Sequence, residues 1–198
     1  HHVNVIAVYE QQSQETKQEN ASGNQPSNDL RTLNNATNIS AQTLVGENTL
    51  LSYLGRVNYD YQSKYILSVA VRRDGLSVWA PGKKWATFPS ASLGWRIDQE
   101  DFLKDNEWIN QLKLRGSYGE LGNDAGISLY ANQALYQLGR NNANEPGFVF
   151  QSLPNNDLSW EANKSFDVAL EFGIKNRVEG SIEFYHRISD NLLFDVPL

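Results

Sequence analysis

Apolar and polar residues alternate one by one along most of this chain. From Ala41 to Leu198 the dominant period is two residues, the repeat of a strand with two unlike faces. In "LLSYLGRVNYDYQ", Tyr53, Gly55, Val57, Tyr59 and Tyr61 fall on one face, and Leu54, Arg56, Asn58 and Asp60 on the other. "YILSVAVRRD" sets Tyr65, Leu67, Val69 and Val71 against Ile66, Ser68, Ala70 and Arg72. In "SASLGWRI", Ala91, Leu93, Trp95 and Ile97 oppose Ser90, Ser92, Gly94 and Arg96. "LKLRGSYGE", "SFDVALEFG" and "RVEGSIEFYHR" repeat the arrangement, with Arg115, Asp167, Glu171, Glu179 and Glu183 on the charged side. The opening "HHVNVIAVYE" also reads as a strand, so the chain is expected to open in mid-sheet, as a fragment would. The pattern predicts an all-β chain of about seven strands, with one face kept free of charge.

The connections between these runs differ in length. "QSK" and "IKNR" are tight turns, whereas residues 11–47, 75–84 and 121–160 are long. Segment 11–47 is rich in Gln, Asn, Ser and Thr and is expected to be an exposed, mobile loop. Asp74-Gly75 is expected to end a strand in a turn, and Pro89 to introduce a bulge because it lacks an amide hydrogen. "DQEDFLKDNEWINQ" suits a short amphipathic helical turn, with Asp98, Glu100 and Asp101 solvated at its start. Aromatic residues gather at strand ends: Tyr59, Tyr61, Tyr65, Trp95 and Phe172 by the tight turns, and Tyr53, Tyr118 and Phe166 at the opposite ends.

Two architectures accommodate such strands. A soluble β-sandwich, as in an adhesion or carbohydrate-binding module, buries the apolar face against a second sheet. A transmembrane β-barrel turns that face to lipid and the polar one to a wet lumen, with tight turns on one side, long loops on the other and aromatic girdles at both interfaces. Composition narrows the function classes further. The net charge of −6 over 198 residues argues against nucleic-acid binding. The absence of cysteine removes disulfides, thiolate nucleophiles and Cys-based metal sites. No apolar run is long enough for a transmembrane helix, which leaves a barrel untouched. His1, His2 and His186 lack serine or acid partners at a recognisable spacing, and "APGKK" lacks the spacing of a phosphate-binding loop. No catalytic, cofactor or metal set emerges, so the chain does not read as an enzyme.

The resemblance lies in whole words. "LGRVNYDYQSKYILSVAVRRDG", "WATFPSASLGWR", "FLKDNEWINQLKLRGSYGELGN", "DLSWEANKSFDVALEFG" and "RVEGSIEFYHRISDNLL" follow one another from about Leu51 to Leu198. In this order they resemble SusC/RagA-type TonB-dependent transporters of Bacteroidetes outer membranes. Leu76 and Val78 depart from the family's run at one loop. The resemblance implies part of a large antiparallel transmembrane barrel of about 22 strands, closed by a plug domain that this chain lacks. It implies TonB-dependent import of an oligosaccharide or peptide across the outer membrane. The implied partners are a SusD-like surface lipoprotein, the TonB complex acting through an N-terminal part, the protein's own plug and outer-membrane lipid. Arg56, Arg72, Arg96, Arg115 and Glu183 become candidates for facing the lumen and plug. Trp79, Tyr130, Tyr136 and Phe148, in the long connections, become candidate substrate contacts.

Overall fold

The structure, a computed structural model, describes residues 1–25, 32–124, 127–138 and 145–193. Among them are nine strands: β1 (His2–Asn24), β2 (Thr37–Tyr61), β3 (Tyr65–Leu76), β4 (Trp85–Arg96), β5 (Ile109–Asn123), β6 (Leu135–Leu138), β7 (Phe148–Ser152), β8 (Glu161–Ile174) and β9 (Val178–Asp190). Seven of them form one sheet in the order β1-β2-β3-β4-β5-β8-β9, each antiparallel to its neighbour. The short β6–β7 pair forms a separate ribbon within the β5–β8 connection.

Register carries the alternation across the sheet. One row runs Val5, Val57, Val69, Ala91, Tyr118, Phe166 and His186, and the next runs Val3, Tyr59, Leu67, Leu93, Gly116, Val168 and Phe184. These residues form the apolar face, and no second sheet covers it among the described residues. Val69 is 43% exposed, Leu93 57% and Ile182 69%. A sandwich would have buried all three, so the sandwich reading fails here.

Stacked rings mark both ends of this face. Tyr61, Tyr65 and Trp95 stack in succession, with centroids 6.1 and 6.5 Å apart. Some eight residues along β3, Tyr9, Tyr53 and Trp85 form a second row at 5.4 and 6.0 Å. The tight turns lie beside the first row. Gln62 and Ser63, and likewise Lys175 and Asn176, all have positive φ, with Lys64 N–H and Arg177 N–H closing the turns onto Tyr61 O and Ile174 O. Paired left-handed residues match the twist of the strands they join.

Four sequence expectations are corrected. Residues 11–24 and 37–47 are strand rather than mobile loop, because β1 and β2 stay paired from Gln11–Leu51 to Ser22–Ser40, beyond the end of β3. A two-stranded ribbon with both faces exposed needs no apolar alternation, so its polar sequence resembles a loop. Gly75 lies within β3, paired to Leu51 and Trp85, and the left-handed glycine of this connection is Gly82 (φ +82°). Gly75 instead makes room for an indole, since a Cβ there would lie 2.7 Å from the Trp85 ring. Pro89 pairs with Val71 in unbroken register, and β4–β5 pairing starts one residue later at Ser90–Gly119, so the proline stands where that ladder has ended. Residues 121–160 are not wholly loop either: β5 runs to Asn123, and β6 and β7 lie within them.

The buried core is small and lies at the long-connection end. Leu76, Val78, Trp79, Phe88 and Trp160 cluster there, joined by Leu50, Ile127, Leu158 and Leu193. Leu76 and Leu50 continue the polar-face positions of β3 and β2, where Ser52 and Asp74 are also buried. The connections therefore fold over the polar face and leave the apolar face bare.

Candidate functional site

The polar face carries hydrogen-bonded groups on both sides of Ser92. One row runs Asn4, Asn58, Ser68, Ser92, Ser117, Asp167 and Tyr185. Along it Asn58 donates to Asn4 at 3.4 Å, Ser68 donates to Asn58 at 2.7 Å and Ser117 donates to Asp167. The next row places Arg115 opposite Ala169 and Glu183 beyond it. Ala169 is a small residue, so the guanidinium can cross it to reach three carboxylates. Arg115 Nη1 meets Asp167, Nε meets Glu171 and Nη2 meets Glu183, each at 3.0 Å. Lys113 stands 3.7 Å from Glu171. One guanidinium and one ammonium facing three carboxylates leave an excess of negative charge on β8 and β9. A fork of donors held this way is rigid and directional.

The other predicted wall residues share this face but not this cluster. Arg72 donates to Asp74 at 2.8 Å and to Ser52 at 3.2 Å, beneath the folded connections, and lies 3.8 Å from Glu10. Arg96 donates to Asp98 at 2.9 Å near the tight-turn end. Arg56 is exposed and has no hydrogen bond or ion pair among the described residues. Of these three arginines only Arg56 is left without a carboxylate among the described residues, while β8 and β9 keep an excess of negative charge.

The loop aromatics separate. Trp79 is 0% exposed, packed 5.4 Å from Trp160. It is a core residue of the folded connections, and its burial removes it from the candidate substrate contacts. Tyr130 is exposed and donates to Val45 O at 3.3 Å, tying the β5–β8 connection to the β1–β2 ribbon. Tyr136 and Phe148 do come together, edge to face at 5.3 Å. Phe150, which the sequence reading missed, completes the group 4.7 Å from Tyr136. Phe148 and Phe150 are 66% and 62% exposed. "FVF" beside a short alternating run was the available signal for this ribbon.

Of the carboxylates expected to be solvated in the β4–β5 connection, Asp98 and Glu100 are engaged instead, whereas Asp101 is exposed and meets only Lys104. A 3-10 turn over Ile97–Gln99 leads into further turns held by Leu103 N–H and Lys104 N–H on Glu100 O. Glu100 accepts from Tyr65 Oη at 2.7 Å, Trp95 Nε1 at 3.0 Å and Lys64 Nζ at 3.3 Å. These hydrogen bonds, Tyr65 first, hold its carboxyl below the ordinary glutamate value of 4.5. Burial pushes Asp98 up, but hydrogen bonds from Gln99, Arg96 and Leu112 N–H outweigh it and leave Asp98 below the ordinary range. A carboxyl depressed by folding stabilises above its unfolded value, and that contribution is lost as pH falls through the folded one. The protection factors of the Glu100, Leu103 and Lys104 amides, their exchange rates divided into the intrinsic rate at each pH, are therefore expected to hold at neutral pH and to fall below about pH 4.5. In Glu100→Gln this acid step is expected to shrink. An unchanged acid step in the variant would assign it to another group.

A meander with one bare apolar face, ring bands at both ends and a charged opposite face under folded connections defines a wall segment of a membrane β-barrel. The chain belongs to the TonB dependent receptor-like, beta-barrel family, which matches residues 7–198. It is accordingly part of an outer-membrane β-barrel, in a family of receptors rather than enzymes. It is 35% identical over 173 residues to TonB-dependent receptor P39 of Formosa agariphila, covering 85% of this chain and 17% of that protein. It is 37% identical over 158 residues to TonB-dependent receptor SusC of Bacteroides thetaiotaomicron, covering 76% of this chain and 16% of SusC. The structure of the RagAB peptide transporter aligns with a TM-score of 0.82 at 26% identity, over 99% of this chain and 22% of the transporter chain. The chain spans about one sixth of the length of these curated relatives.

Proposed function

We propose that these residues form part of the wall and outer rim of a TonB-dependent importer of oligosaccharides or peptides. The observation that carries this reading is the Arg115 cluster, a fixed charged surface on the face opposite lipid. A wall of that kind suits a lumen filled by a plug, and its excess of carboxylates offers partners to plug Lys or Arg side chains. Arg56 on β2 offers the complementary sign, whereas Arg72 and Arg96 are already held by Asp74 and Asp98. Energy would reach the plug from the TonB complex through the N-terminal part, and a SusD-like lipoprotein would cap the mouth. Similarity to the RagAB peptide transporter supports a two-component importer and favours peptide. In this reading the long connections are extracellular, and Tyr136, Phe148 and Phe150 present ring faces to the incoming substrate.

The test uses the complete transporter in its own cells. A deletion strain is complemented with wild type or with a Tyr136→Ala, Phe148→Ala double variant, and uptake of labelled oligopeptides and oligosaccharides is followed. Uptake of one class is expected to depend on the transporter. The double variant is expected to raise the half-saturating concentration roughly three- to tenfold at unchanged surface expression, the loss of two aromatic contacts. Uptake of both classes without the transporter would refute the importer reading.

A further inference from the structure

The apolar face contains a cation. Arg73 lies on β3 in the same alternation as Val69 and Val71, so its side chain leaves the sheet on the lipid side, directly opposite Tyr53 on β2. Its guanidinium carbon sits 5.4 Å over the Trp85 ring. Every other arginine of the seven-strand sheet discussed above lies on the polar face, and most of those meet carboxylates there. Arg73 is exposed and has no carboxylate partner among the described residues. A lipid-facing guanidinium is expensive unless it reaches the interface and finds an anion there. The Tyr9–Tyr53–Trp85 row puts Arg73 at that interface, on the side of the long connections.

Beside it the face is indented. Ala7 and Gly55 pair across β1–β2, and Val71 follows on β3. With Tyr9 and Tyr53 as one wall and Arg73 at the end, these residues line a groove of about 500 Å³. The fold does not require glycine at position 55: a Cβ there would meet nothing within 4 Å, and its φ is not left-handed. The missing side chain therefore creates space toward the bilayer rather than relieving a contact inside the protein.

We propose that this groove is a lipid site, which takes an acyl chain of an anionic outer-leaflet lipid over Ala7, Gly55 and Val71 and its phosphate on Arg73. Shape and charge point to the same occupant. The floor is apolar and lies in the membrane-facing surface of an outer-membrane barrel, and the one charged group at its edge is an unpaired cation at headgroup height. Guanidinium forks match phosphate oxygens in two-point hydrogen bonding, and stacking on Trp85 holds the fork in place. A neutral lipid would fill the groove and leave Arg73 without its anion. The site depends on the barrel and not on the substrate that is imported.

The experiment takes the complete transporter, purified in mild detergent and delipidated, and titrates it with dipalmitoyl phosphatidic acid under native mass spectrometry. Phosphatidylcholine serves as the zwitterionic control. Wild type is expected to hold one phosphatidic acid more tightly than any phosphatidylcholine. Arg73→Gln is expected to weaken that binding roughly tenfold or more, the loss of a charge-assisted contact. Arg73→Lys is expected to recover part of it. Gly55→Leu, which has room to fold, is expected to remove the bound lipid while keeping the charge. Equal binding of the two lipids by wild type, or wild-type binding in either Arg73→Gln or Gly55→Leu, overturns the proposal.

Discussion

Residues 1–198 expressed alone in detergent-free buffer are expected to yield no soluble, monomeric, cooperatively folded protein. The seven-strand sheet ends in two open edges, β1 along His2–Asn24 and β9 along Val178–Asp190. Each presents a row of unpaired N–H and C=O groups, which hydrocarbon cannot satisfy and which in water invites edge-to-edge association. The bare apolar face adds to the problem, because the only buried cluster is the small one around Trp79 and Trp160 among the described residues. That cluster anchors the connections, not the sheet. Sedimentation and circular dichroism decide the matter: aggregation, or β-structure recovered only in detergent, is the expected result. A soluble monomer with a cooperative unfolding transition would mean that the apolar face has found a protein partner within this chain, and the barrel assignment would fall.

The second large effect separates the two faces by one residue. In the complete barrel, Val69→Arg is expected to cost roughly 2–4 kcal/mol, the depth-dependent penalty for arginine on a lipid-facing position near the bilayer midplane. Val69 lies midway along β3 between the ring rows at Tyr65 and Arg73, with Val57 and Ala91 as its cross-strand neighbours. Ser68→Arg points into the polar wall, where Asn58 and Ser92 flank it. It loses one hydrogen bond to Asn58 and is expected to cost about 1 kcal/mol or less. Reversible urea unfolding of the refolded barrel in lipid vesicles measures both. Equal costs for the neighbouring substitutions would show that these faces do not meet different media.

The sequence by itself determined the strands with an apolar face, because a residue that must meet lipid or wall cannot also change face. Period-two alternation therefore located β3, β4, β5, β8 and β9 to within a few residues, and ring-forming residues located both ends. It also placed Arg56, Arg72, Arg96, Arg115 and Glu183 on one face. Alternation gave no signal where both faces meet water, which is why the β1–β2 ribbon over 11–24 and 37–47 passed for a loop. Contacts between distant residues were equally hidden. Glu100 meets Lys64 and Tyr65, some 35 positions away, and Arg115 gathers carboxylates 52 to 68 positions away. Only the register of paired strands brings such groups together. Trp79 shows the same limit: the sequence placed it in a long connection, and only the folding of that connection over the polar face decided that it would be buried rather than free to meet a ligand. Face assignment follows from the local period, whereas partnership and burial depend on how strands pair and loops close, which is a property of the whole sheet.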